Sequence, residues 1–325
     1  MNDMFRTPIN FPKATFNIDH PQSVLALGSC FSQNIGERMA AAKFPVSINP
    51  FGTLFDPISI HAVFDVANLE SKEEELIFYN GYWHAVKYHG SFKHKDKALL
   101  LEKIRQSKQH LINNLKTSDI LMLTYGTAHV WKTTEKNEIV GNCHKLPGHF
   151  FYRHLLTPEE IINTLQDSLI TLKRLFPHLH VIMSISPVRH LKMGMIENQL
   201  SKSVLKVAVS ALVNKMPEIY YFPAYEIMMD DLRDYRFYAQ DMIHPSELAI
   251  EYIFEGFKSV FFSERTKERV KIWEKFGKSM NHRPFDGENE LWINYKQKYK
   301  IQLKQYKDEF PMLDWSKEEQ FCELS

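Results

Sequence analysis

A doubly wound α/β fold is what this sequence predicts, on three observations. Short, almost continuously apolar runs recur along the chain, as do strands buried on both faces of a parallel sheet. Amphipathic stretches of helical period lie between them. Two chemistry-bearing turns, Gly28-Ser29-Cys30 and Asp241-x-x-His244, fall just beyond strand-like runs, where an open α/β sheet binds its ligands.

The first strand is expected at Ser23–Leu27, which stops at Gly28 before an amphipathic run begins. Further strands are expected at Asp119–Tyr125 (DILMLTY), His180–Ser186 and Ile219–Tyr225. The stretch 70–100, with KYHGSFKHKDK, reads as a polar insertion and loop. Thr157-Pro158-Glu159-Glu160 is a capping box with proline at the first helical position. It opens a helix whose apolar stripe is Ile161, Leu165, Leu169, Leu172 and Phe176. A second helix spans about 198–215, with Leu200, Val204, Ala208 and Leu212 on one face. A third follows Pro245, carrying Leu248, Ile250, Tyr252, Ile253 and Phe257. Strands alternating with helices imply right-handed crossovers. From residue 264 the chain turns Lys-rich and helical in pattern, which divides it into an α/β domain, 1–263, and a helical extension, 264–325. That extension reads as solvated helices packed on the domain, or as an oligomer or partner surface.

The 325 residues carry 40 Lys+Arg against 39 Asp+Glu. A balance this even gives no long-range attraction to nucleic acid or an anionic membrane. The cysteines, Cys30, Cys143 and Cys322, are odd in number and far apart, which argues against a disulfide scaffold. No apolar signal core opens the chain and no run of 18 apolar residues occurs, so a reducing, cytoplasmic location is expected. Aromatics reach 13% and cluster at HFFYRH, YYFPAY and YRFYAQ, as packing residues or as the wall of a carbohydrate or acyl site.

A residue just after the first strand meets the free N–H groups and positive dipole end of the next helix, which lower a thiol pKa and stabilise an oxyanion. Ser29 or Cys30 could therefore act as a nucleophile, or Ser29 could simply cap the helix and Cys30 pack as a small hydrophobe. Asp241 and His244, three residues apart in a helix-entry loop, suit a carboxylate that fixes an imidazole tautomer and leaves Nε2 as a general base. Such a pair is also common in polar loops.

Gly28-Ser29-Cys30-Phe31-Ser32, with NPFGTLFDP, LTYGTAHVW, GNCHKLPGHFF, SPVRHLKMG and YFPAYEIMMDDLRDYRFYAQDMIHPS, resembles the GSCFA family, a branch of the SGNH (GDSL-like) hydrolases, over roughly residues 10–260. The resemblance implies a three-layer α/β/α, flavodoxin-like fold with a parallel sheet of about five strands. It implies ester hydrolysis or acyl transfer through a Ser-His-Asp-type site; the substrate expected here is an acylated small molecule or glycan, or an acyl thioester, with no cofactor or metal. Laid on the superfamily's Gly-Asp-Ser, the nucleophile's place falls on Cys30, with Ser29 the alternative, and Asp241 and His244 match the final block. A thiolate beside an imidazole at a helix N-terminus is then the expected nucleophile. Gly52 is the candidate oxyanion amide. The superfamily's Gly-x-Asn-Asp reads Gly126-Thr127-Ala128-His129 here, so its oxyanion asparagine is missing, and Asn142 and His129 are the candidate replacements. Asn142, His144 and Lys145 are expected to contact a polar or anionic substrate group, and Arg189 with His190 a carboxylate or phosphate, unless they are solvated. Two rival readings stand beside the enzyme: a non-catalytic carbohydrate- or metabolite-binding module on the same fold, and a metal site built from Cys143, His144, His149 and His154.

Overall fold

The computed structural model describes residues 7–11, 13–65, 74–280 and 290–323 of the chain. The expected insertion at 70–100 and the C-terminal extension each run partly outside these residues.

In chain order the strands are β1 (Val24–Gly28), β2 (Val46–Ile48), β3 (Ile77–Tyr79), β4 (Tyr82–His84), β5 (Lys93–His94), β6 (Ile120–Tyr125), β7 (His129–Thr133), β8 (Ile139–Val140), β9 (Phe151–Leu155), β10 (His180–Ile185) and β11 (Ile219–Phe222). The helices are α1 (Cys30–Ala41), α2 (Pro57–Phe64), α3 (Lys97–Thr117), α4 (Pro158–Leu175), α5 (Met195–Lys215), α6 (Glu247–Phe261), α7 (Glu264–Ser279), α8 (Glu290–Glu309) and α9 (Ser316–Glu323).

Five strands form one parallel sheet in the order β2-β1-β6-β10-β11. Its register aligns Val24 with Val46 on one side and Ile120 on the other, then His180 with Ile120 and Val181 with Ile219. The direction of winding reverses between β1 and β6, so the crevice at the carboxyl edge opens beside Gly28 and Thr124. Alternation along the strands sorts the core into two layers. On one face Leu25, Leu27, Leu121, Leu123, Val181 and Met183 pack with Ile60, Leu111, Leu165, Leu205, Val209 and Leu212, contributed by α2 to α5. On the opposite face Val24, Ala26, Ile120, Met122, Ile182 and Phe222 pack with Phe31, Ile35 and Met39 of α1 and with Ile253, Phe254, Phe257 and Phe261 of α6. Truncating one of these leucines or phenylalanines to alanine costs about 2–5 kcal/mol, because the cavity left behind only partly collapses.

The helices begin where local chemistry says they should. Thr157 and Glu160 exchange side-chain and backbone hydrogen bonds at the start of α4, and Ser246 accepts the Ala249 N–H at the start of α6. The region 70–100 departs from the expected loop. It holds the antiparallel strands β3, β4 and β5 and leads into the 21-residue helix α3, whose Leu100, Ile104, Leu111 and Leu115 are buried. A second antiparallel sheet, β8-β7-β9, runs through the Cys/His-rich segment. Both accessory sheets pair residues distant from the main sheet's pattern, which a strand-by-strand reading does not detect. The last strand ends at Phe222 rather than Tyr225, because Pro223 lacks the N–H that would extend it.

The C-terminal helices make a small core of their own from Trp273, Phe276, Tyr299, Leu303, Leu313 and Trp315. Lys43 ties it to the α/β body: its ammonium pairs with buried Glu318 at 2.7 Å and lies 4.7 Å from the Trp315 ring centre.

Candidate active site at the carboxyl edge of the sheet

The turn from β1 into α1 is set by close backbone approach. Gly28 has φ +132°, and a Cβ there would overlap the Thr124 carbonyl. Ser29 follows, 1% exposed, donating its N–H to Thr124 O at 3.1 Å. Its Oγ accepts the Phe31 N–H, so Ser29 is the N-cap and Cys30 the first helical residue. Cys30 is half-buried, and burial pushes its thiol pKa up, outweighing the pull of its own backbone N–H. Burial thus acts against the lowering expected at the helix end, because desolvating a thiolate costs more than one amide returns.

Beyond β11, Asp241 organises a tight turn. Its Oδ1 accepts the N–H groups of Ile243 (2.9 Å) and His244 (3.0 Å), and its Oδ2 accepts Nδ1–H of His244 at 2.7 Å. The imidazole, followed by the two amides, holds the Asp241 pKa down to about 2. With Nδ1 committed, Nε2 is the basic atom of His244. Among the described residues, no hydrogen bond joins Nε2 to Cys30 Sγ or Ser29 Oγ. Helix α1, which begins at Cys30, is tied to helix α6, which follows the His244 turn: Arg38 of α1 pairs with Glu247 and Glu251 of α6, each at 2.6 Å.

The loop after β10 leans on the His244 turn. Arg189 donates its N–H to Ile243 O at 3.2 Å, and its guanidinium lies 3.4 Å from Met242 O and 3.8 Å from the Tyr238 ring centre. His190 fills the space over Gly126, where an added Cβ would sit 2.8 Å from Nε2. Burial, then the charges of Lys202, His244, Lys192 and His129, lower the His190 pKa to about 3.

After β6, Gly126 and Thr127 both donate their N–H groups to Phe55 O, and Ala128 donates to Ser201 Oγ at 2.7 Å. Lys202, fully buried, donates from Nζ to Gly126 O (2.7 Å) and Ser186 O (2.6 Å), and burial lowers its pKa to about 7. Sequence reading missed Lys202, Ser201 and Asn49, which takes the Gly28 N–H on its Oδ1 at 2.8 Å. A lysine within an amphipathic helix reads as solvated, and only the third dimension puts carbonyls around it.

The other expected site residues lie in different surroundings. The N–H of Gly52 is committed to Asn49 O at 2.7 Å. His129 Nε2 is 3.4 Å from Glu197, in the first turn of α5. Asn142 Oδ1 accepts the His144 N–H at 2.8 Å. The His144 ring is turned inward, with Nε2–H on Tyr88 O at 3.1 Å and Nδ1 3.4 Å from His84 Nδ1. Lys145 is exposed beside it. In the same segment His154 pairs with Glu160 at 3.1 Å. Among the described residues, the one group of three potential ligands close enough for a single ion is Glu251, Glu255 and Glu274. Those carboxylates already face Arg38 and Lys258.

Among solved structures, a carbohydrate esterase family 3 from Talaromyces cellulolyticus is similar at 10% identity and TM-score 0.33, covering 77% of this chain and 99% of its own. An acetyl esterase mutant with an acetate ion is similar at 9% identity and TM-score 0.34, covering 78% and 99%. No curated protein matches. Among the described residues, no helix is long and apolar enough to cross a membrane. The GSCFA family profile matches residues 23–257, and the profile described as GSCFA domain protein, C-terminal domain, matches residues 273–324. The turn at Gly28-Ser29-Cys30 and the Asp241–His244 pair both lie within the first of these matches, and the chain belongs to the GSCFA family.

Proposed function

We propose that this chain is an SGNH-type acyl-ester hydrolase or acyltransferase, with Cys30 as nucleophile, His244 as general base and Asp241 as the group that orients it. The observation that carries this reading is the 2.7 Å Asp241 Oδ2–His244 Nδ1 bond, on the same sheet edge as the N-terminus of α1. Cys30 is preferred to Ser29 because the serine hydroxyl is buried and engaged in capping.

In the proposed reaction Cys30 Sγ attacks the acyl carbonyl carbon, and the thiol proton passes to His244 Nε2. The carbonyl π pair moves onto oxygen, where the Cys30 N–H at the helix start is a backbone donor. The C–O bond to the leaving alcohol then breaks, and the alcohol oxygen takes the proton from His244. Water or an acceptor hydroxyl attacks the thioester, gives its proton to His244, and Sγ leaves and is reprotonated. Burial raises the Cys30 thiol pKa, which favours transfer of the thiol proton to His244 Nε2 in the same step as attack. Small-molecule and glycan acyl esters are the proposed substrates. The division near residue 263, with the later helices as an extension, belongs to the same proposal.

Incubation with 4-nitrophenyl acetate followed by intact-mass and peptide mapping tests the reading. A 42 Da adduct (about the mass of one acetyl group) on Cys30, absent in Cys30→Ala and slowed in His244→Ala, is the expected result. An adduct on another residue, or none, removes Cys30 as nucleophile.

A further inference from the structure

The proposed reaction leaves one feature of this edge unused: a cation fixed beside the base, with no acid among the described residues to balance it. Arg189 is anchored to the His244 turn through its backbone, by the 3.2 Å bond to Ile243 O, and through its side chain, 3.4 Å from Met242 O. Its guanidinium stacks on Tyr238 at 3.8 Å and lies 5.2 Å from the Tyr235 ring centre. Among the described residues no carboxylate pairs with it, and Asp241, the acid of the neighbouring turn, is committed to His244. A stacked arginine keeps its planar fork in place, and that fork matches the two oxygens of a carboxylate or phosphate. An uncompensated charge held this way raises the local concentration of anions.

We infer that Arg189 is an anion-recognition site, and that the acyl substrate carries a carboxylate or phosphate close to the bond that is cleaved. This rests on the reading of Cys30 and His244 as the reacting pair. Arginine held by two tyrosines on the turn that carries the base would orient an anionic substrate before attack, a contribution to specificity rather than to proton transfer.

Two matched ester pairs test it. One places the charge on the acyl group: 4-nitrophenyl hydrogen glutarate against 4-nitrophenyl butyrate. The other places it on the leaving group: 4-acetoxybenzoate against phenyl acetate. For each pair the ratio of Cys30 acylation rates is measured in the native chain, Arg189→Lys and Arg189→Gln, with intrinsic reactivity divided out. The expected result is an anionic preference of about tenfold or more in at least one pair. It should fall partway in Arg189→Lys, to about one in Arg189→Gln, and shrink with added salt. Acylation of Cys30 with no anionic preference in either pair overturns the inference and leaves the catalytic reading standing. If Cys30 is not acylated at all, the catalytic reading fails. Calorimetric titration with glutarate and with phenyl phosphate then decides the anion site alone: binding lost in Arg189→Gln supports it, and equal binding or none overturns it.

Discussion

Gly126 and His190 compete for one volume. A Cβ added at Gly126 would lie 2.8 Å from His190 Nε2, and also 3.2 Å from Phe55 O. Gly126 does not need glycine for its backbone angles, since it is absent from the positive-φ positions of the fold. It needs glycine so that the imidazole can lie over the end of β6. Gly126→Ala is expected to cost about 1–3 kcal/mol by overpacking. Combining it with His190→Ala should recover part of that loss, so that denaturant midpoints of the two single variants and the double variant are non-additive. Strict additivity would show that the two residues do not share the space.

Gly28 is a different kind of glycine. Its φ of +132° and the Thr124 carbonyl beside it both exclude a side chain. Gly28→Ala is expected to destabilise by roughly 2–4 kcal/mol, since neither backbone can move without breaking the β1–β6 ladder. Thermal unfolding of the variant at the native temperature, or close to it, would contradict that expectation.

Asp241 should matter through the tautomer of His244 rather than through its own charge transfer. Asp241→Asn is expected to slow Cys30 acylation by about 10²-fold or more while the fold is retained. Near-native acylation in a folded Asp241→Asn chain would remove Asp241 from the proposed machinery.

The raised Cys30 pKa predicts the pH dependence of simple alkylation. Iodoacetamide reacts with thiolate, so its rate at Cys30 should still be climbing above pH 9, the ordinary value from which burial raises this thiol. A plateau reached near neutral pH would mean that the thiolate is stabilised after all.

Lys202 gives a stability prediction with a definite sign. Its folded pKa is lowered from 10.5 to about 7. Between those values the unfolded chain binds more protons, so this lysine makes stability rise with pH from about 7 to 10.5. Urea midpoints compared across that window should rise less in Lys202→Met than in the native chain. An equal rise in both would exclude Lys202 as the source.

The parts that sequence determined are those whose partners are near in the chain or enforced by burial. The Thr157–Glu160 cap closes over three residues, and so does the Asp241–His244 bond. The strands β6 and β10 declare themselves because both faces are buried, which leaves no polar alternation to confuse them. Tertiary structure alone decided the rest. It placed Ser29 in the cap and left Cys30 as the first helical residue, raised the thiol instead of lowering it, committed the Gly52 N–H to Asn49, and turned His144 toward His84. It also carried Lys202 to the carbonyls of Gly126 and Ser186, 76 and 16 residues away. Hydrogen-bond commitment and desolvation depend on which distant backbone arrives beside a group, and a one-dimensional pattern records only that the group is there.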